Sequence, residues 1–216
     1  PYACLSIKMN GTSGMPFSLK EDLAALPGVE EVSAAIDLTD TYTVTSDKIQ
    51  SSQMLADIWV KDNGNIPSLI MHNASKGTLN TAVCALPDDE LRRIAADAGV
   101  SDEETETLLA GDSVLTLWGD YYYDPAADEY YQGFQTDGKT LVEPVFAAGD
   151  KLSIQYQRYT GQDEAGNEVY RTYTAQLPIV GVVKSANSYT LLTTDRLISS
   201  GTIFVSTALY HKMFES

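Results

Sequence analysis

The chain has little of the side-chain chemistry that usually marks an enzyme or a metal protein. It holds two cysteines and two histidines in 216 residues. Cys4 and Cys84 are too few for a disulfide scaffold or a cysteine zinc site. Their separation of 80 positions leaves pairing open, and Cys4, beside Leu5 and Ile7, has the surroundings of a buried thiol. His72 and His211 are distant in sequence. There is no Gly-x-Ser-x-Gly elbow, no His-Glu-x-x-His and no phosphate-binding glycine loop. Gly11-Thr12-Ser13-Gly14 lacks the lysine such a loop needs and reads as a turn. The expectation is a non-catalytic protein with no cofactor and no metal.

Long apolar runs are also missing. No stretch of about 18 apolar residues occurs, so no segment reads as a membrane span. No basic segment leads into an apolar one, so no signal peptide is expected. Pro1, in place of a starting methionine, fits an excised or mature fragment. Positive charge is scarce: 14 Lys and Arg stand against 30 Asp and Glu, a net charge of −16. Such a surface repels phosphates and anionic head groups, which argues against nucleic acid as a partner. It attracts cations, cationic peptides among them, and it also confers solubility.

What is present is a folding composition. Hydrophobic residues make up 44% and charged residues 20%, enough apolar surface for a core and too little charge for disorder. Ser18 and Glu21 have capping-box spacing, Leu19, Leu23 and Leu26 share a helix face, and Pro27-Gly28 ends the helix. Val32, Ala34, Ile36 and Leu38 then alternate as a strand. Residues 2–9, 42–45, 54–60 and 66–72 read as strands, 46–53 as a polar loop and 61–65 as a turn. Asp88 is the expected N-cap of a helix whose apolar face is Leu91, Ile94, Ala95 and Ala98, closed by Gly99. Ser101 and Glu104 form a second capping box, for a helix ending near Gly111. Residues 113–118 follow as a strand and 141–146 as a short apolar segment. Leu152, Ile154 and Tyr156 alternate, and the turn 161–167 joins them to a partner strand at 168–175. Strands are expected again at 179–183, 189–193 and 202–205, with Ser206 as N-cap of a last helix over 208–214.

The segment 119–139 reads as a long irregular hairpin. Trp118, Tyr121, Tyr122, Tyr123, Tyr130 and Tyr131 make it the candidate contact surface, because amphipathic rings are enriched at interfaces. The same rings could instead cover strand faces, or stack on sugars. Asp120, Asp124, Asp128 and Glu129 are carboxylates in a loop, yet their spacing is not that of a calcium hand.

Several segments together resemble the extracytoplasmic domain of FtsX/MacB-type ABC transporter permeases. Residues 18–38 resemble its first helix and strand. Ala148-Gly149-Asp150-Lys151-Leu152-Ser153-Ile154 resembles its Gly-Asp turn into a strand, and Val180-Gly181-Val182-Val183 a later strand. Residues 202–214 are similar to its strand running into a serine-started helix. The 88–98 helix with Gly99-Val100-Ser101 resembles permeases of Gram-positive bacteria. The likeness covers roughly the first 45 and last 75 residues, and 55–140 match poorly. The family's further strand after the last helix has no counterpart before Ser216.

The resemblance implies an α+β fold, with a porter-like β-α-β layer formed by both chain ends and a β-rich, partly helical inserted subdomain. The corresponding division of the single domain is 1–53 plus 176–216 against 54–175. It also implies a position between two transmembrane helices on the extracellular face of the bacterial membrane. The implied partners are the permease's own transmembrane part, a separate or fused ATP-binding subunit, a second permease copy and an exported substrate such as a cationic peptide. The alternative reading is a secreted or surface-anchored module that binds carbohydrate or peptide.

Overall fold

The computed structural model describes residues 18–29, 32, 36–38, 42–53, 71–73, 78–80, 83–118, 121–132, 137–184 and 202–214. In chain order the elements are α1 (Ser18–Ala24), β1 (Ile36–Leu38), β2 (Tyr42–Thr45), α2 (Asp47–Ser51), β3 (Met71–Asn73), β4 (Thr78–Asn80) and β5 (Val83–Leu86). Then come α3 (Asp88–Asp97), α4 (Asp102–Leu109), β6 (Val114–Leu117), β7 (Tyr121–Asp124), β8 (Glu129–Gln132) and β9 (Thr140–Leu141). The chain continues through β10 (Lys151–Gln162), β11 (Glu168–Val183), β12 (Ile203–Ser206) and α5 (Thr207–Phe214). The fold is α+β. The expected strands at 2–9, 54–60 and 189–193, and the turn at 61–65, lie outside the described residues.

Among the described residues nine strands form one sheet in the order β1-β5-β12-β6-β11-β10-β2-β4-β3, and β8-β7-β9 form a second, small sheet. The nine-stranded sheet has two halves that share β11. Its C-terminal part, from Ile179, pairs in parallel with β6; its N-terminal part, up to Pro178, pairs antiparallel with β10. Proline has no N–H for a ladder, so it fits where the strand leaves one partner for another. Its neighbour closes the join: Ile179 N donates to Asp150 O at 2.8 Å, and Gly149 N donates to Ile179 O at 2.8 Å. Sequence periodicity suggests two strands here, 168–175 and 179–183. The structure has one, because the proline at the crossing interrupts the pattern without interrupting the strand.

The half built on β5, β12 and β6 is covered on both faces. Strands with two buried faces carry apolar side chains in succession and do not alternate with polar ones. The sequences are Val-Cys-Ala-Leu, Ile-Phe-Val-Ser and Val-Leu-Thr-Leu, buried throughout. Cys84, Leu86, Leu115, Leu117 and Phe204 meet Leu91, Ile94, Ala95, Leu108 and Leu109 from α3 and α4. The alternate residues Val83, Ala85, Val114, Ile203 and Val205 enter a second cluster with Leu152, Ile154, Leu177, Ile179 and the α5 residues Leu209 and Met213. Each fully buried side chain of this size contributes about 1.5–3 kcal/mol by leaving water.

Local signals explain the helices. Ser101 Oγ accepts from Glu104 N, and the Glu104 carboxylate accepts from Ser101 N, so the capping box forms. Ser206 Oγ accepts from Leu209 N at 3.1 Å, the expected cap of α5. Asp88 is not a cap: Pro87, in extended backbone, takes that position without a side-chain bond. Asp88, Asp89 and Glu90 instead fill the first turn, where their charge favours the helix dipole. The polar run 46–53 is not a loop. Ser46 Oγ accepts from Lys48 N and donates to Lys151 O, and Ile49 is fully buried, which holds α2 in place. A single apolar residue leaves no period to read.

The strand pairing crosses the expected subdomain boundary. β5 and β6, placed by the sequence in the 54–175 insertion, pair with β12 and with the end of β11, and β2 pairs with β10. Both sets of residues contribute to each core cluster. Hydrophobic burial, and not chain order, decides which strands meet.

Candidate functional site

The aromatic segment expected to form a contact surface is divided by the structure. Trp118 is 4% exposed and belongs to the core cluster beneath α5; its backbone N–H donates to Val183 O at 2.8 Å. It anchors the end of β6 and is withdrawn from the surface. Tyr121, Tyr122 and Tyr123 lie in β7, opposite Gln132, Tyr131 and Tyr130 of β8. Tyr122 and Tyr123 are half-buried. Tyr123 Oη donates to Asp128 Oδ1 at 2.6 Å, while Asp124 Oδ1 accepts from Ala126 N and Ala127 N. Two of the four loop carboxylates therefore stabilise the hairpin turn. Asp120 lies outside the described residues. Among the described residues no group of three or more His, Cys, Asp or Glu comes together in a metal-holding arrangement.

The histidines are not brought into one described constellation. His211 is exposed on α5, with its ring edge-on to Tyr210 at 5.6 Å between centroids; His72 lies in β3. Cys84 is buried under α3 and α4, and Cys4 lies outside the described residues. Several displaced pKa values have structural causes. The Ser101 hydroxyl holds the Glu104 carboxyl below its ordinary value, and the Asn167 side chain does the same for Asp163. A hydrogen bond to Glu106 raises Arg92, and one to Glu168 raises Tyr170. These groups serve a helix cap, a hairpin tip and two exposed pairs, not one shared cleft.

Among the described residues a long exposed feature is the outer part of the β10–β11 hairpin, which sequence reasoning identified as a hairpin but not as a surface. Leu152, Ile154 and Tyr156 are buried, whereas from Gln157 to Thr174 most side chains face water. Tyr159 is 51% exposed, Tyr170 52% and Tyr173 36%. Tyr159 and Tyr170 are cross-strand partners in an edge-to-face pair with centroids 5.8 Å apart. Tyr173 stacks on Tyr156 at the same distance, under the Arg158 guanidinium. At the tip, Asp163 accepts from Ala165 N, Asn167 N and Asn167 Nδ2, which closes the turn.

The arm is tied to the rest of the chain through α5. Arg158 Nε donates to Met213 O at 3.0 Å, and its Nη2 donates to Lys212 O, satisfying carbonyls at the helix C-terminus. Lys212 Nζ donates in turn to Ala110 O and Asp112 Oδ1, at the end of α4. α5 thus joins the arm to the helical layer. No helix among the described residues is long and apolar enough to cross a membrane. Comparison of the chain with protein-family models, with curated proteins and with solved structures finds no match.

Proposed function

We propose that the chain is the non-catalytic extracellular domain of an FtsX/MacB-type ABC transporter permease. In this reading its movement couples ATP hydrolysis on the cytoplasmic side to export of a substrate or to regulation of a partner protein. The observation that carries the reading is convergence. The three resembling segments 148–154, 177–183 and 202–214 contribute Leu152, Ile154, Leu177, Ile179, Ile203, Val205, Leu209 and Met213 to one core cluster. Segments that resemble a family in order along the chain also pack as a unit, with β12 running directly into α5. The porter-like layer belongs to this proposal, as do the transmembrane part of the permease, the ATP-binding subunit, a second permease copy and a cationic exported peptide as partners.

The parent reading frame tests it. The expected result is an apolar run of about 20 residues shortly before Pro1 and further such runs after Ser216. A cleavable leader upstream, with a wall anchor or no apolar run downstream, overturns it. That outcome favours a secreted or surface-anchored binding module, a reading supported by the exposed tyrosines of the β10–β11 arm.

A further inference from the structure

The outer face of the β2–β10–β11 ribbon is uncharged over a long stretch of a strongly acidic protein. The register sets its composition. Gln155 lies between Thr43 of β2 and Thr174 of β11; one rung further out Gln157 faces Thr172, and beyond it Tyr159 faces Tyr170. These side chains point away from the buried row of Val44, Leu152 and Ile154, and they are exposed. From Ser153 to Tyr159 the face spans about 20 Å at roughly 3.4 Å per residue. Lys151 at the inner end and Glu168 at the outer end are the first groups along it that carry charge at neutral pH.

This chemistry selects among ligands. A cationic peptide would meet a carboxylate only at the outer end, where Glu168 is bonded to the Tyr170 hydroxyl, and an anionic polymer a cation only at the inner end, at Lys151. An apolar peptide or a lipid surface would bury amides and hydroxyls without partners, which costs about 1–3 kcal/mol for each. A neutral polyhydroxylated chain suits both components. Its hydroxyls can donate to and accept from glutamine and threonine, and its C–H faces pack on tyrosine rings, whose π faces are electron-rich. The rings are pre-positioned: Tyr170 Oη donates to Glu168 Oε2 at 2.7 Å, and the edge-to-face contact sets Tyr159 against it. Fixed rings reduce the ordering cost of binding.

We propose that this face binds a neutral polysaccharide lying along the hairpin, stacked on Tyr159 and Tyr170 and hydrogen-bonded by Gln155, Gln157, Thr172 and Thr174. The proposal does not depend on the permease reading.

The test presents the whole chain to immobilised neutral glucans, mannans, xylans and chito-oligosaccharides, alongside acidic glycans and zwitterionic lipid vesicles. The expected result is retention on at least one neutral series, insensitive to salt. The double variant Tyr159→Ala/Tyr170→Ala should weaken retention about tenfold or more, with an unchanged circular dichroism spectrum. Thr174→Glu, which places a charge on the strip without removing a ring, should weaken it as well and guards against misfolding of the double variant. No retention on any neutral series overturns the proposal. So does retention confined to acidic glycans or vesicles, or retention that survives both variants.

Discussion

β11 passes through two contrasting environments, one exposed and one buried. Towards its end Leu177, opposite β10, and Ile179, Gly181 and Val183, beside β6, are buried, while Val169 to Thr174 face water on the arm. Backbone pairing continues through both. What changes is the cover: α3 and α4 on one face and α5 with β10 on the other in the inner half, and none of these on the outer face of the arm. Stability therefore resides where helices close the sheet. The arm persists through cross-strand rings, the Asp163 turn and the grip of Arg158 on α5.

Substitutions sharpen this contrast, and the largest effect is expected in the covered half. Phe204→Ala empties a fully buried site against α3 and α4 and should cost about 3–5 kcal/mol, read from denaturant unfolding. Gly111→Ala comes next. Gly111 has φ +76, and a Cβ there would lie 2.7 Å from the Leu209 backbone nitrogen, where nothing can rotate aside. Left-handed strain and that clash should together cost about 2–3 kcal/mol, seen as a lowered Tm.

Ser101→Ala removes the α4 cap and should cost about 1 kcal/mol at neutral pH. Its pH dependence has a definite sign. The folded carboxyl of Glu104 is held below its ordinary value, so its stabilisation is present above that value and is lost as pH falls through the lowered one. The gap between Ser101→Ala and the parent chain should therefore narrow on acidification, in thermal melts at stepped pH. The smallest effect belongs to the arm: Tyr159→Ala/Tyr170→Ala should change unfolding stability by less than about 1 kcal/mol. A large loss of stability in that variant would show that the arm supports the core and would erase the contrast.

Much of the covered half is visible in sequence, because its signals are local. The Ser101–Glu104 box, the Leu91–Ile94–Ala95 face and the Ser206 cap each depend on residues within one turn, and each forms. The hairpin is legible for the same reason, from its alternation and its Asp163–Asn167 turn. Long-range choices are less accessible. Nothing near Pro178 tells that β11 changes partners there, and nothing near Trp118 tells that it turns inward while the tyrosines after it form a separate sheet. The uncharged strip is hidden for a related reason. Gln155 and Thr174 acquire a common face only when β10 and β11 pair, and Thr43 joins them from a strand more than a hundred positions away. Composition alone would have placed charge there.

The continuity of β11 has a kinetic consequence as well. Amide protons exchange with solvent at rates set by the free energy of local opening, and a strand that begins on an arm and ends in a core spans both regimes. Along this single element the protons of Val169 to Thr174 should be replaced early, and those of Ile179 to Val183 only when the whole domain opens. A time course of deuterium uptake would then place a sharp step close to Pro178, at the residue that contributes no amide proton of its own.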